Sequence, residues 1–350
     1  MLFKKKDIVG IDIGSKYIKA VQLKAGKNGY QLERIGVADL QPELIVDGSI
    51  LDATRVVDAI TSLLTSSDIS AKDVTLSVSG HSSVITKRVS IPQISEEELE
   101  DSITFEAEQY IPFDIDDVNL DFQILGPAEE ANMMDVLIVA VKQDKINDYV
   151  SVISDSGLTP VIVDVDAFAL ENMHDVNYPP NEEINVALVN IGASMINMNI
   201  IKGGISVFTR DSSVGGNLHT EALQKHFTIS YDNAEKLKYK GTLEGIAPES
   251  VAEVIDSASD EIIAEISRSF DYFRDTTNYE KIDEILISGG VALTKGFAEM
   301  MTEKLGISTS VTEPFKNIEI PDIFDLEYIK KIEPLVSVAV GLALRRVGDK

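Results

Sequence analysis

Residues 10–23, GIDIGSKYIKAVQL, contain the most informative pattern in the chain: a β-strand, a tight turn and a second β-strand. Gly14 in the turn lets backbone amides approach an anion closely, and Ser15 and Lys19 add side-chain donors for phosphate oxygens. Many ordinary hairpins also use glycine and serine in their turns. Taken alone, the turn therefore favours an ordinary hairpin over a phosphate site.

A second copy of this pattern lies in the other half of the chain. Residues 188–201, LVNIGASMINMNII, place Gly192, Ala193 and Ser194 in the equivalent turn. Such an internal duplication predicts two related domains that face each other across a cleft, a geometry suited to clamping a nucleotide. Because the turn is repeated, phosphate binding becomes a better interpretation of the two turns than ordinary hairpins.

A third pattern places two glycines at the end of an apolar strand. In residues 285–297, ILISGGVALTKGF, Gly289 and Gly290 are expected where the strand runs into a helix. Because glycine has no Cβ, a flat ring could lie against the backbone there. The segment is a candidate base-binding turn.

The remaining patterns predict an α/β protein. The first forty residues predict a three-stranded antiparallel meander, followed by a helix that Asp52 caps. Residues 81–158 predict a compact β-α-β-β-α unit, whose first helix opens with a capping box of Ser95 and Glu98. A strand is expected at residues 160–168, and the apolar C-terminal stretch is expected to form a helix that packs against the first domain.

Composition excludes several classes of function. With 31 Lys and Arg against 58 Asp and Glu, the formal charge of −27 repels phosphate backbones, so we expect no nucleic-acid partner. The absence of cysteine excludes disulfides, thiolate metal sites and a cysteine nucleophile. The histidines lack metal-ligand spacing and are expected at the surface or in turns: His81, His174, His219 and His226.

No signal peptide is expected at the start of the chain, because residues 1–14 alternate apolar and polar side chains. No window approaches the roughly 20 consecutive apolar residues that a membrane-spanning helix needs. We therefore expect a cytoplasmic protein without a direct membrane span.

The three patterns, in this order and spacing, resemble the phosphate-one, phosphate-two and adenosine motifs of the superfamily of actin, heat-shock chaperones and sugar kinases. Within it, EAEQYIPFDIDDVNLDFQILG, DVDAFALEN and FTRDSSVGGNLHTEAL are similar to segments of the PilM family of type IV pilus assembly proteins, which is related to FtsA. The resemblance covers nearly the whole chain. It implies an α/β, two-lobed actin-like ATPase fold that binds ATP and Mg²⁺ and carries an inserted β-α-β-β-α domain of the SHS2 type.

The resemblance also implies roles for individual residues. Asp12 would hold Mg²⁺ through water, and Asp166 would position the attacking water, with Asp164 as the alternative. Glu235 and Lys238 match a pair used near ribose and adenine, although the residues by themselves fit an ordinary surface ion pair. The other expected nucleotide contacts are Gly14, Ser15, Lys19, Gly192, Ala193, Ser194, Gly215, Gly216, Gly289 and Gly290.

One position departs from the superfamily pattern. Asn190 begins the second phosphate loop, where hydrolases of this superfamily usually have an acidic residue. Asparagine can orient a water, but it cannot carry the negative charge that favours Mg²⁺ or act as a base. We therefore expect slow or absent hydrolysis and a nucleotide that serves as a structural or switching ligand.

Pattern and resemblance together predict four parts. They are a first core domain (7–80, 160–183 and 333–350), a partner-binding insert (81–159), a second core domain (184–229 and 281–332) and a helical subdomain over the nucleotide (230–280). The resemblance implies an adaptor, peripheral to the inner membrane, that binds the N-terminal cytoplasmic tail of PilN in a groove between the first lobe and the insert and contacts the pilus motor ATPases. A small-molecule kinase and an FtsA-like filament former are the alternatives, and a homo-oligomer is left open.

Overall fold

The computed structural model describes residues 8–26, 29–128, 130–277 and 281–349, so the predicted domain limits at residues 7, 280 and 350 lie outside them. Among the described residues, no helix combines the length and the apolar character needed to cross a bilayer. The strands are β1 (Ile8–Ile13), β2 (Tyr17–Gly26), β3 (Gly29–Asp39), β4 (Ile45–Val46), β5 (Ser49–Ile50), β6 (Asp73–Val78), β7 (Val84–Pro92), β8 (Val118–Pro127), β9 (Met133–Lys142), β10 (Thr159–Val165), β11 (Asn185–Ile191), β12 (Ile196–Lys202), β13 (Ile205–Ser212), β14 (Glu284–Ser288), β15 (Ser308–Val311) and β16 (Ile318–Glu319). The α-helices are α1 (Ala53–Ser66), α2 (Glu96–Ala107), α3 (Gln143–Asp155), α4 (Asp166–Asn177), α5 (Asn217–Phe227), α6 (Tyr231–Lys240), α7 (Pro248–Thr276), α8 (Phe297–Leu305), α9 (Leu326–Ile332) and α10 (Ser337–Leu344).

The first large sheet has the strand order β10-β6-β1-β2-β3-β16. Its antiparallel meander β1-β2-β3 is the one predicted from the sequence, and β6 and β10 extend it in parallel to β1. All six residues of β1 are buried, as expected for an apolar strand covered on both faces. The strand therefore carries Asp12, near its end, into the interior.

The second large sheet repeats this plan. Its order is β13-β12-β11-β14-β15, with β11-β12-β13 as an antiparallel meander and β14 parallel to β11. The hairpin β11-β12 thus stands in the second sheet where β1-β2 stands in the first. The internal repeat seen in the sequence is therefore a repeat of topology.

The insert is a three-stranded antiparallel sheet of order β7-β9-β8, and its elements follow one another as β-α-β-β-α. The capping box at its first helix is confirmed: the Ser95 hydroxyl accepts the Glu98 amide, and the Glu98 carboxylate accepts the Ser95 amide. Helix α3 ties the insert to the first lobe, since Lys145 and Tyr149 both donate to the carbonyl of Gly48.

Helix α10 packs against β1 and α4, which confirms the expected position of the apolar C-terminal helix. The approach is close enough to require glycine on both sides. A Cβ on Gly10 would overlap the backbone of α10, and a Cβ on Gly341 would overlap the carbonyl oxygen of Ala169. The C-terminal helix is therefore part of the core of the first lobe.

Helix α4 reaches across to the second sheet. Nδ2 of Asn199 on β12 donates both to the carbonyl of Ala167 (2.9 Å) and to the carboxylate of Glu171 (3.0 Å), and the Ser206 hydroxyl donates to Asn199 Oδ1. Burial raises the pKa of Glu171 to about 7. A titratable carboxyl group therefore lies at the junction of the two lobes.

Several local expectations were wrong. The strand expected at residues 160–168 ends at Val165, and Asp166 begins α4. A 3₁₀ turn over Gly290–Leu293 separates β14 from α8, where a direct strand-to-helix step was expected. Strand β16 was not predicted; its two residues pair in parallel with β3 and join the chain beyond the second core to the first sheet.

Candidate functional site

A cavity of about 550 Å³ is lined by residues from both large sheets and from the helices α6 and α7. This volume is in the range of small-molecule sites. Of the residues that the sequence nominated, all except Gly215 and Asp164, the alternative to Asp166, line it. They are Asp12, Gly14, Ser15, Lys19, Asp166, Gly192, Ala193, Ser194, Gly216, Glu235, Lys238, Gly289 and Gly290.

The two glycine hairpins have the same turn and face each other. In the first, the Gly14 amide donates to the carbonyl of the third residue on, Tyr17, at 3.0 Å. In the second, Gly192 makes the equivalent bond to Met195 at 2.8 Å. The hydroxyls of Ser15 and Ser194 lie 2.8 Å apart, so the two turns meet at the cavity.

Two carboxylates and one ammonium group lie beside the first hairpin. Lys19 Nζ is 2.9 Å from Asp12 Oδ2, and Ser77 donates to Asp166 Oδ1 at 2.5 Å. Burial raises the pKa of Asp12, Lys19 opposes that rise, and the charge of Asp166 adds to it. A cation near the two carboxylates would relieve this cost of burial.

Within the part of the chain that the structure describes, no group of three or more His, Cys, Asp or Glu side chains is arranged to hold a metal. Beside nucleotides, Mg²⁺ is usually bound by one or two carboxylates, the phosphates and several waters. Two carboxylates are therefore enough for such a site. Asp12 and Asp166 therefore fit a nucleotide-dependent Mg²⁺ site better than a site made by the protein alone.

Gly215 and Gly216 attach helix α5 to the second hairpin. The amide of Gly216 donates to the carbonyl of Gly192 at 2.9 Å, and Asn217 donates to Ala193 at 2.8 Å. A Cβ on Gly215 would lie 2.6 Å from the Ala193 carbonyl oxygen, so only glycine fits there. Gly215 therefore supports the hairpin from behind, whereas Gly216 lines the cavity.

Gly289 forms another wall of the cavity. Its φ of +85° is one that L side chains rarely adopt, and a Cβ would overlap the carbonyl of Ile191. Its amide donates to the carbonyl of Pro334 at 2.7 Å, which holds the turn against the chain leading to α10. Close packing against β11 therefore requires glycine at this position.

Glu235 and Lys238 form a buried network, which contradicts the alternative of an ordinary surface pair. Their side chains are 10% and 13% exposed, and both contact the hydroxyl of Thr220. Lys238 Nζ lies 2.5 Å from Glu235 Oε1, and Lys16 lies 3.4 Å from Oε2. Burial opposes ionisation of both groups and lowers the pKa of Lys238, but Lys238 and its neighbours still hold the pKa of Glu235 below its usual value.

Among the cavity residues that sequence reasoning missed are Lys16, Tyr17 and Tyr239. Lys16 and Tyr17 reach from the first hairpin to helix α6. There the Tyr17 hydroxyl lies 2.8 Å from the Tyr239 hydroxyl, and Lys16 Nζ lies over the Tyr231 ring, 5.6 Å from its centre. Their position directly after Ser15 was a usable signal for the first two. Nothing local connects either residue with Tyr239, which is 222 positions from Tyr17.

The prediction that every histidine lies at the surface or in a turn was wrong for His174 and His219, which are buried. His219 lines the cavity and its Nε2 is 2.9 Å from the Ser259 hydroxyl. Burial, helped by the charge of Lys238, lowers the pKa of His219 to about 4, so it is neutral at pH 7. It therefore contributes hydrogen bonding and no charge.

Known proteins resemble this chain in both sequence and fold. Residues 10–347 match the family described as "Type IV pilus assembly protein PilM". A solved PilM-PilN type IV pilus biogenesis complex contains a chain that is 25% identical, with a TM-score of 0.86, covering 99% of this chain and 100% of that one. The ethanolamine utilization protein EutJ of Carboxydothermus hydrogenoformans is 14% identical (TM-score 0.60; 98% and 90% covered), and MreB5 of Spiroplasma citri bound to ADP is 14% identical (0.53; 96% and 94%). The actin-like ATPase fold predicted from the three motifs is confirmed by these matches.

Proposed function

The chain belongs to the PilM family of type IV pilus assembly proteins, and on this basis we propose that it is an ATP-binding adaptor that captures the N-terminal cytoplasmic tail of PilN. In this role it is cytoplasmic, is held at the inner membrane through PilN, and links the membrane complex to the pilus motor ATPases. The four-part domain plan belongs to the same proposal. Support for the partner comes from the matched PilM-PilN complex, which aligns along almost the whole chain.

The facing hairpins are the observation that carries nucleotide binding. Their serine hydroxyls meet at 2.8 Å, and Lys19 lies in the same cavity. Serine hydroxyls and a lysine at such turns can form an anion site because they supply donors for phosphate oxygens. Gly290 lines the same cavity, and the atom nearest to its Cβ position belongs to the Leu335 side chain at 3.9 Å, so a flat base could lie against the backbone there.

Asp12, through water, and Asp166 are the residues that would hold Mg²⁺ and the attacking water. When bound, Mg²⁺ supplies positive charge that offsets the phosphates. At Asn190 the side chain accepts from Ser288 and donates to Asn197, so both of its polar atoms are engaged and neither is a base. We therefore propose slow hydrolysis, with the nucleotide fixing how the two lobes are arranged.

The PilN tail is proposed to bind in the groove where the insert meets the first lobe. Helix α3 belongs to the insert and is held to the first lobe through the carbonyl of Gly48. A groove bordered by two parts of the protein changes shape when those parts move. Peptide affinity would then depend on the nucleotide.

The proposal is tested by titrating the purified chain with a labelled peptide of the PilN tail, with and without ATP and Mg²⁺, using a scrambled peptide as control. Saturable binding of the native peptide alone is the expected result. If no peptide binds under either condition, while ATP binds and a small acceptor is phosphorylated, the adaptor is excluded and a kinase replaces it.

A further inference from the structure

A chain of hydrogen bonds leads from the second hairpin to the edge of the second sheet. Ser288 donates to Asn190 (3.2 Å), and Asn190 donates to Oδ1 of Asn197 (3.1 Å). Asn197 in turn donates to Oδ1 of Asp211 on β13 (3.0 Å). Asn190 and Asn197 both line the cavity, so a ligand that contacts Asn190 is separated from Asp211 by two hydrogen bonds, and a ligand that contacts Asn197 by one.

The other oxygen of Asp211 bonds to a different part of the protein. Oδ2 accepts the backbone amide of Gly80 at 2.6 Å, just before the insert begins. Alongside, the Ser213 hydroxyl lies 3.2 Å from His81 Nδ1, and the hydroxyls of Thr86 and Thr209 are in contact. We call residues 80–86 and 209–213 together the interlobe seam.

Gly80 is the point at which the chain leaves the first sheet for the insert. It lies between β6 and β7 with a φ of +126°, so the direction of the chain depends on a conformation that glycine adopts readily. The bond from its amide to Asp211 fixes that direction relative to the second lobe. A shift of Asp211 would therefore change the position of β7.

Asp211 also supplies a carboxylate close to the place where Asn190 lacks one. It is half-buried, and its two hydrogen-bond donors, Asn197 and Gly80, engage one oxygen each. Hydrogen-bonded chains of this kind transmit polarisation because each bond strengthens the next. Asn197 can donate to Asp211 in only one orientation of its amide group. A ligand that reorients Asn190 or Asn197 therefore weakens or removes this hydrogen bond.

We propose that Asp211 is a positioning residue that provides the negative charge missing at Asn190 and couples occupancy of the nucleotide cavity to the position of the insert. The inference rests on the proposed function for its ligands, ATP and the PilN tail. The contacts of the interlobe seam are made by the protein alone and require neither ligand.

The coupling is measured as the ratio of peptide affinities with and without ATP and Mg²⁺. In the unmodified protein we expect a ratio of at least about fivefold, the lower end of common allosteric couplings. Asp211→Ala should bring the ratio to within about twofold of one, because the link from the hairpin to Gly80 is cut. Each variant is measured at an ATP concentration that a separate ATP titration shows to be saturating, so that a loss of ATP affinity does not imitate this result.

Asp322→Ala is the matched control, because it removes the same charge from an exposed position of the chain. It should keep the ratio of the unmodified protein. The proposal is overturned if Asp211→Ala keeps that ratio, or if the unmodified protein binds both ligands with a ratio of one.

Amide exchange of residues 80–92 in the ligand-free protein provides an independent readout. Asp211→Ala should speed exchange at Gly80 by about tenfold or more, since the lost hydrogen bond is to a charged acceptor. An unchanged exchange rate at Gly80 would contradict the claim that Asp211 holds this amide in the interlobe seam. If the unmodified protein binds neither ATP nor peptide, the proposed function fails, and this measurement still decides the role of Asp211.

Discussion

Lys19→Ala lowers the affinity for ATP by about 100-fold, which is the loss expected for charge-assisted hydrogen bonds to phosphate in a partly buried site. The Lys19 side chain is 13% exposed and lines the cavity beside the first hairpin. Its removal also leaves Asp12 next to Asp166 without a neutralising cation, so the phosphates meet unopposed negative charge. Calorimetric titration with ATP and Mg²⁺ measures the effect.

Lys24→Ala is the control for this change. It removes the same charge from the same strand, β2, but at an exposed position. Its ATP affinity should stay within about twofold of the unmodified protein, as is usual for exposed charges. Equal affinity of Lys19→Ala and the unmodified protein would mean that the phosphates do not bind beside the first hairpin.

Glu171→Gln stabilises the protein at pH 8 by up to about 3 kcal/mol. Burial raises the pKa of Glu171 to about 7 from 4.5, so the folded state holds a proton that the unfolded state has released. The stability this gives is fully present below about pH 4.5 and is lost as the pH rises through about 7. Glutamine cannot ionise, can still accept the bond from Asn199, and therefore avoids the loss.

Urea unfolding across pH 5 to 8 measures the difference between the two proteins. It should grow as the pH rises to about 7 and remain constant above that value. Glu303→Gln, at an exposed position of α8, should show no such difference. A constant difference between Glu171→Gln and the unmodified protein at all pH values would show that the Glu171 carboxyl does not titrate abnormally.

The parts of the fold that the sequence predicted are those encoded by local patterns. The two hairpins, the capping box at Ser95 and the apolar helix α10 each follow from a few adjacent residues. The repeat then predicted that the hairpins would face each other, and their serine hydroxyls do meet. Short-range patterning combined with an internal repeat was therefore enough to place the two hairpins at one cavity, whereas Asp166, Glu235 and Lys238 were nominated by the family resemblance.

The parts that were missed depend on contacts between distant residues. Strand β16 exists because two residues lie against β3, and their own sequence has no strand signal. The bond between Tyr17 and Tyr239 and the bond between Gly80 and Asp211 each join residues more than 100 positions apart. Such contacts are set by how the lobes pack, which no local pattern encodes.

The roles of the nominated residues stay a prediction until a nucleotide is bound. Their placement around one cavity supports these roles, and Gly215 shows that a matching motif position can also be structural. Asp166 likewise contacts Ser77 and influences the pKa of Asp12, so its charge is felt at the proposed Mg²⁺ site.

Amide hydrogen exchange of the protein, free and saturated with ATP and Mg²⁺, tests most directly the claim that three separate motifs form one nucleotide site. We expect slower exchange in residues 12–19, 190–195 and 289–295 together, because each segment lines the same cavity. Protection limited to another surface, such as the open groove between α5 and α7, or no protection at all, would contradict the account.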